Sequence, residues 1–328
     1  RTLADLAARG VEVTVMEASS HALALDKLAP IEFALGIFTN LSHEHLDFHG
    51  SMENYLAAKA KLFDSCRVGL FNADDAAGRE LLQNTACRAV SYGLTPPCDY
   101  LAEEIESYGV RGSSYLLHTR GARFRVKTQI PGSFTLYNTL AAAAAARECG
   151  VDLVCIQNAL YALRGIAGRL EKVNLGFMGG AFTVFIDYAH TPFALENLLR
   201  CVRAFRGTGQ RIVTLFGCGG ARDREKRPEM GRIAVENSDF VILTSDNPRT
   251  EEPQAILADI LKGVGKADNY TVIENRREAI EYAVANALAG DIILLVGKGH
   301  EQYEIDKDGL HPFSETEIVQ EAAERYRS

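Results

Sequence analysis

The sequence predicts an α/β protein of two domains, and three observations carry that prediction. Short β-rich runs alternate with helical stretches at the start of the chain, the texture changes to Gly- and Ser-punctuated alternation at about 98–130, and the strand-helix alternation restarts near 166. The first runs are VEVTVME (11–17), FALGIFTN (33–40) and RVGLFNADD (67–75), each ending in polar residues, which predicts a mostly parallel sheet. Between 98 and 130, YGVRGSSYLLHTRGARFRVKTQI reads as antiparallel hairpins added to that domain. SFTLYNTLAAAAAARECG then reads as a helix, with Ser133 as its N-cap, an alanine run as its body and Gly150 as its stop. The second half supplies five further strand-like runs, most followed by a helical pattern, so a doubly wound domain is expected. Four of these strands end in DYAHTP, GCGGARD, SDNPR and GKGHE, and ligands of open α/β sheets bind outside the carboxyl ends of strands. These four loops are therefore expected to line one site.

Composition narrows the function. At 328 residues and 47% hydrophobic content the chain can bury two cores. Its net charge of −8 and the lack of any Lys/Arg block argue against a nucleic-acid or anionic-membrane partner and favour a small molecule. The seven cysteines (66, 87, 98, 149, 155, 201, 218) show no CxxC spacing and are odd in number, which points to a reducing, cytoplasmic setting and against a zinc or disulfide framework. No apolar run reaches the ~20 residues of a membrane span. RTLADLAARG reads as the tail of a helix already under way, ending at Gly10.

The most unusual stretch is FTNLSHEHLDFHGSMENYLAAKAKLF, Phe38 to Phe63. With Ser51 as cap, Met52, Tyr55, Leu56, Leu62 and Phe63 form one apolar helical stripe, and Lys59 falls inside it while Lys61 points away. A lysine so placed pairs with an acid, snorkels, or works as a neutral amine, and the helix alone leaves all three open. Upstream, His43, Glu44, His45, Asp47 and His49 share one loop, and Glu17 ends a strand-like run where acids of phosphate-handling folds hold magnesium. Together they read as a cation site.

MEASSHAL, the 38–63 stretch, GRLEKV, DYAHTP, GARDREKRPEMG, SDNPRTEEP and GKGHEQY, in this order, resemble the Mur ligases over essentially the whole chain. The resemblance implies a central ATP-binding domain over 1–168, its mostly parallel sheet incomplete and extended by antiparallel hairpins, and a Rossmann-like carboxy-terminal domain over 169–328. It implies an ATP-dependent amide ligase that adds meso-diaminopimelate to UDP-N-acetylmuramoyl-L-alanyl-D-glutamate, working as a cytoplasmic monomer. The lysine matching Lys59 is carbamylated in that family and holds magnesium with the residue matching His45, while Glu17 matches the acid for another magnesium. Asn138 matches a residue at the adenine, although Thr135 stands where relatives carry a second asparagine. Arg169, Asp187 and His190 match positions that meet the ribose and phosphates of ATP, although Ala167 replaces the usual proline before Gly168.

GCGGARD lacks the third glycine of a dinucleotide fingerprint, because Arg222 stands there. The resemblance gives Arg222, Asp246, Asn247, Arg249, Gly297 and Glu301 to the incoming amino acid, and an arginine fork suits a carboxylate as Glu301 suits an ammonium. DNPR accompanies meso-diaminopimelate, whereas lysine-adding relatives lack its arginine. Ser19, His21 and Lys27 are expected to face the UDP-muramoyl peptide. No GxxxxGK[ST] occurs, and the family places its phosphate loop upstream of Glu17, so the chain as given is expected not to turn over. The competing readings are a lysine-adding relative, a folylpolyglutamate synthase and a binding module without chemistry.

Overall fold

The computed structural model describes residues 2–42, 45–176 and 181–325. Its first elements are α1 (Thr2–Ala8), α2 (Ser20–Ala24), β1 (Phe33–Phe38), α3 (Leu46–His49), α4 (Met52–Asp64), β2 (Cys66–Asn72), α5 (Ala76–Asn84) and β3 (Arg88–Gly93). Then come β4 (Tyr100–Ser107), β5 (Ser113–Thr119), β6 (Ala122–Thr128), α6 (Ser133–Glu148) and α7 (Leu153–Ala162). The second half holds β7 (Glu171–Lys172), β8 (Thr183–Asp187), α8 (Pro192–Phe205), β9 (Ile212–Phe216), α9 (Lys226–Asn237), β10 (Phe240–Leu243), α10 (Pro253–Val264) and β11 (Tyr270–Val272). It ends with α11 (Arg276–Ala285), β12 (Ile292–Val296), β13 (Tyr303–Asp306), β14 (Gly309–Pro312) and α12 (Glu315–Arg325). By its contacts the chain divides into two units: residues 1–103, 117–124 and 137–156, and residues 104–116, 125–136 and 157–328.

The first sheet runs in the order β1-β2-β3-β4-β5-β6, with β1 to β4 parallel. β5 and β6 are neighbours joined by the two-residue turn Arg120–Gly121, the hairpin that the Gly-rich texture predicts. Phe38, Phe63, Phe71 and Leu81 form an apolar cluster that ties α4 and α5 to this sheet. The second sheet runs β11-β10-β9-β12-β8-β7, all parallel except β7 against β8. Its strands are buried along their length, as in IILLV, and each face carries its own apolar core. α8, α9 and α10 cover one face, and α11 and α12 the other. Because β8, β9, β10 and β12 are parallel, the loops after Asp187, Phe216, Leu243 and Val296 leave at one edge.

Two expectations need correction. VEVTVME forms no strand: residues 11–19 are irregular, Val13 is 76% and Val15 90% exposed, and β1 is the edge of its sheet. Alternating valines make a strand only where a neighbouring backbone accepts the ladder bonds, and among the described residues none is paired with this stretch. Ser133 is the first residue of α6 rather than its cap; its hydroxyl and amide engage the buried Cys201 thiol, and Gly132 precedes it at φ +102°.

Candidate active site

In the first unit the site is built on one well-capped helix. Ser51 is extended (φ −150°), its hydroxyl accepts a hydrogen bond from the Asn54 amide at 3.2 Å, and α4 starts there. Tyr55, Ala58 and Phe63 are buried on the inner stripe, and Lys59 beside them is half-buried, whereas Lys61 is exposed and pairs with Asp26 at 2.8 Å. The two lysines thus divide as their spacing predicts. The Lys59 ammonium stands 5.2 Å from the centre of the Tyr55 ring. Tyr55 stacks on His49 at 4.7 Å and 14°, and lies 6.0 Å from the His45 ring. His21 adds an edge contact to His45 at 5.0 Å and a tilted contact to His49 at 5.5 Å. His49 is buried, its Nε2 2.9 Å from the Ser20 hydroxyl.

His45, His21 and Lys59 therefore belong to one ring cluster, with His49 and Tyr55 at its centre. Sequence reasoning noted His49 only as one of several histidines; its spacing of six residues from Tyr55 across a capped turn is the signal that pairs them. Glu17 lies exposed in the irregular stretch, and Lys27 is exposed after α2. Ser19 caps α2, its hydroxyl accepting from the Ala22 amide at 3.3 Å. His43 and Glu44 lie outside the described residues, and Asn138 is exposed on α6. Among the described residues no three His, Cys, Asp or Glu side chains converge to hold a metal. The converged donors are nitrogens, whereas magnesium takes oxygens, so the side chains as they stand make no magnesium cage.

In the second unit three loops converge. A Cβ on Gly220 would lie 1.9 Å from the Pro248 carbonyl, so GCGG can pack on SDNP only through glycine. A Cβ on Gly219 would stand 2.9 Å from Arg249 Nη1 and 3.8 Å from Arg222 Cγ, which places both arginines around one point. Arg249 is itself held by the Gly220 carbonyl at 2.9 Å, while Arg222 is exposed. Asn247 Nδ2 donates to Glu301 Oε2 at 2.8 Å, joining SDNPR to GKGHE. Gly297, at φ +115°, lets the strand end pass Asp246, whose carboxylate a Cβ there would meet at 2.9 Å. Arg222, Asp246, Asn247, Arg249, Gly297 and Glu301 thus share one surface.

Two buried cations underpin it, and sequence reasoning gave a role to neither. Arg227 is fully buried and bonds Glu251 in two-point fashion at 3.0 Å, Asp259 at 3.0 Å and the Gly219 carbonyl at 3.3 Å. It pushes the Glu251 carboxyl down to about 2 from its ordinary 4.5, with help from the Ala221 amide. Lys298 is also fully buried, and that burial lowers its pKa against the raising influence of Asp246. The signal for Lys298 is its position, directly after an unbroken apolar strand and between two glycines.

Nearby, Asp187 pins GRLEKV to DYAHTP: its carboxylate accepts from the Leu170 amide at 2.8 Å and the Ala189 amide at 2.9 Å, and burial raises its pKa. The Arg169 guanidinium lies 5.2 Å from the Tyr188 ring, which also touches His190 at 4.7 Å and His300 at 5.5 Å. Arg169, Asp187 and His190 are therefore neighbours at the strand edge. Thr191 caps α8 and Pro192 fills its first position, as DYAHTP predicts.

Comparison with known proteins identifies the family. The family model described as Mur ligase middle domain matches residues 1–146, and that described as Mur ligase, glutamate ligase domain, matches residues 168–299. The UDP-N-acetylmuramoyl-L-alanyl-D-glutamate–2,6-diaminopimelate ligase of Clostridium tetani (strain Massachusetts / E88) is 43% identical over 320 residues, covering 98% of this chain and 65% of that protein. The protein of the same name from Syntrophomonas wolfei subsp. wolfei is 43% identical over 314 residues, covering 94% of this chain and 63% of its own length. This chain thus spans a little under two thirds of these curated relatives. A solved structure bearing that ligase name superposes with a TM-score of 0.69 at 35% identity, covering 99% of this chain and 67% of the other. With both family models matched in order and a 35% identical structure aligned from end to end, the chain belongs to the Mur ligase family.

Proposed function

We propose that the gene product is an ATP-dependent amide ligase that adds meso-diaminopimelate to UDP-N-acetylmuramoyl-L-alanyl-D-glutamate in the cytoplasm, as a monomer. The observation that carries this reading is the pairing of opposite grips on one surface: Arg249 and Arg222 around Gly219, and Glu301 on Asn247. Diaminopimelate carries carboxylate and ammonium at both ends, so it suits an arginine fork and a carboxylate together. Lysine offers no second carboxylate to Arg249. Curated relatives 43% identical to the chain carry the diaminopimelate ligase name.

The chemistry balances in two steps. A carboxylate oxygen of D-glutamate attacks the terminal phosphorus of ATP and ADP leaves. The diaminopimelate amine then attacks the acyl carbon, phosphate leaves and the amine proton passes to solvent, leaving an amide. Arg169, Asp187 and His190 are assigned to the nucleotide's ribose and phosphates, and Asn138 to its adenine. Ser19, His21 and Lys27 are assigned to the UDP-muramoyl peptide. Residues 1–168 would form the nucleotide domain and 169–328 the amino-acid domain.

Lys59, His45 and Glu17 are assigned to magnesium. The nitrogen-rich ring cluster would become an oxygen site once the neutral Lys59 amine adds to carbon dioxide and releases a proton to solvent, because the resulting carbamate is an anion in place of a cation. Magnesium held there would offset negative charge on the phosphates. The test is phosphate release by the full-length gene product, dependent on UDP-muramoyl dipeptide, with meso-diaminopimelate compared against lysine. Release with meso-diaminopimelate supports the reading, release with lysine alone overturns the substrate, and release with neither leaves a binding module.

A further inference from the structure

We infer that Lys298 is a positioning residue for the incoming amino acid: it fixes the side-chain amide of Asn247 with its oxygen inward, so that Nδ2 faces Glu301 and the ligand. The inference rests on the assignment of SDNPR and GKGHE to that amino acid. Lys298 has no exposed side-chain surface, and each of its three ammonium hydrogens has an acceptor in reach. Asn247 Oδ1 lies at 2.9 Å, the Tyr303 carbonyl at 3.1 Å and Asp246 Oδ1 at 3.5 Å, with the Phe313 ring 5.3 Å away.

The same Asn247 oxygen takes a second donor, the Ile305 amide at 2.9 Å. An ammonium and a peptide N–H can only donate, so both demand an acceptor at that position. The amide therefore cannot flip, since a flip would set an NH2 group against two donors in a buried site. Asn247 is 3% exposed, and its Nδ2 points to Glu301. One Nδ2 hydrogen engages Glu301 Oε2, which leaves the other Glu301 oxygen for an ammonium. Lys298 also balances the charge of Asp246 beneath the loop, so its charge and its hydrogen bond act on one short segment. A lysine that served only the core would have no reason to spend its donors on two consecutive residues of the recognition loop.

The test uses the full-length gene product and three variants: Lys298→Met, Asn247→Ala and the double variant. With ATP and UDP-muramoyl dipeptide saturating, Lys298→Met should raise KM for meso-diaminopimelate by about tenfold or more, the scale of a lost charged hydrogen bond. KM for ATP should stay within about twofold. The double variant should be no worse than the worse single one, because the lysine acts through the asparagine. An unchanged KM for the diamino acid, equal rises for both substrates, or additive effects would each overturn the inference.

A wild-type protein that does not turn over meso-diaminopimelate would instead remove the proposed function. The amide orientation is then decided separately, as it also is if Lys298→Met does not fold. In wild-type protein carrying ¹⁵N-labelled asparagine, the Asn247 side-chain amide, assigned by its loss in Asn247→Ala, should exchange slowly with water. Exchange as fast as that of surface asparagines overturns the inference.

Discussion

The ring cluster around Lys59 and the three-loop surface around Asn247 are built by different forces. In the first unit His21, His45, His49 and Tyr55 meet through ring contacts, each worth about 0.5–1.5 kcal/mol and tolerant of angle. In the second unit Arg227 holds Glu251 and Asp259, and Lys298 holds Asn247, by charge-assisted hydrogen bonds, each worth about 1.5–3 kcal/mol and strict in direction. A site meant to distinguish one amino acid from another needs donors and acceptors fixed before the ligand arrives. A site meant to gather cations needs only donors of the right kind nearby. The difference teaches that donors and acceptors are fixed in direction in the second unit, whereas in the first they are only gathered; under the proposed function, the first would be completed by its ions and the carbamate.

The largest expected effect tests the first site. Lys59→Ala should lower kcat of the full-length protein by about 10²–10³, the scale of one lost charge-stabilising group. If Lys59 only packs on Tyr55, the change is limited to the weak cation–ring contact and kcat stays put. Mass spectrometry of the gently prepared protein should find the mass of one carbon dioxide on that residue.

Next, Arg227→Ala should destabilise the second unit by about 3 kcal/mol, since it removes the buried partner of the Glu251 and Asp259 carboxylates, which are 13% and 21% exposed, and leaves them only the exposed Arg224 and Lys262 and the Ala221 amide. Thermal melting reads it, and a loss under about 1 kcal/mol would break the claim that buried cations hold these loops. The pH dependence has a definite sign. The folded Glu251 carboxyl titrates at about 2, below its ordinary 4.5, so its contribution is full above 4.5 and is lost as pH falls toward 2. Glu251→Gln should lack that acid limb.

Arg249→Ala should then cost about 2 kcal/mol in kcat/KM for meso-diaminopimelate and far less for lysine, which lacks the second carboxylate. Equal losses for both amino acids would make Arg249 a loop strut. Smallest, Ser51→Ala should remove about 1 kcal/mol by uncapping α4, read as a lower Tm with kcat nearly unchanged.

Much of this was legible in the sequence because it is periodic or local. The Ser51 cap, the inward Lys59 and outward Lys61, and the Pro192 start all follow from spacing of three or four residues. The second sheet was legible because its strands are apolar on both faces. What escaped is non-local. VEVTVME has every mark of a strand, but strand formation depends on a partner that a local window does not contain. Lys298, and Arg227 within DREKR, look like solvated charges until the fold wraps acceptors around them. His49 needed the α3–α4 turn to bring it over Tyr55.

The edge at β1 has a consequence for handling the protein. Among the described residues β1 has a neighbouring strand on one side only, and residues 11–15 form an irregular segment whose valines alternate with Glu12 and Thr14 and lie open to water. An open strand edge and exposed alternating valines can pair across molecules. Concentrated samples of this chain should accordingly gain sheet signal and scatter light as they age, and a single Val13→Lys exchange should slow both by putting charge where a second molecule would dock.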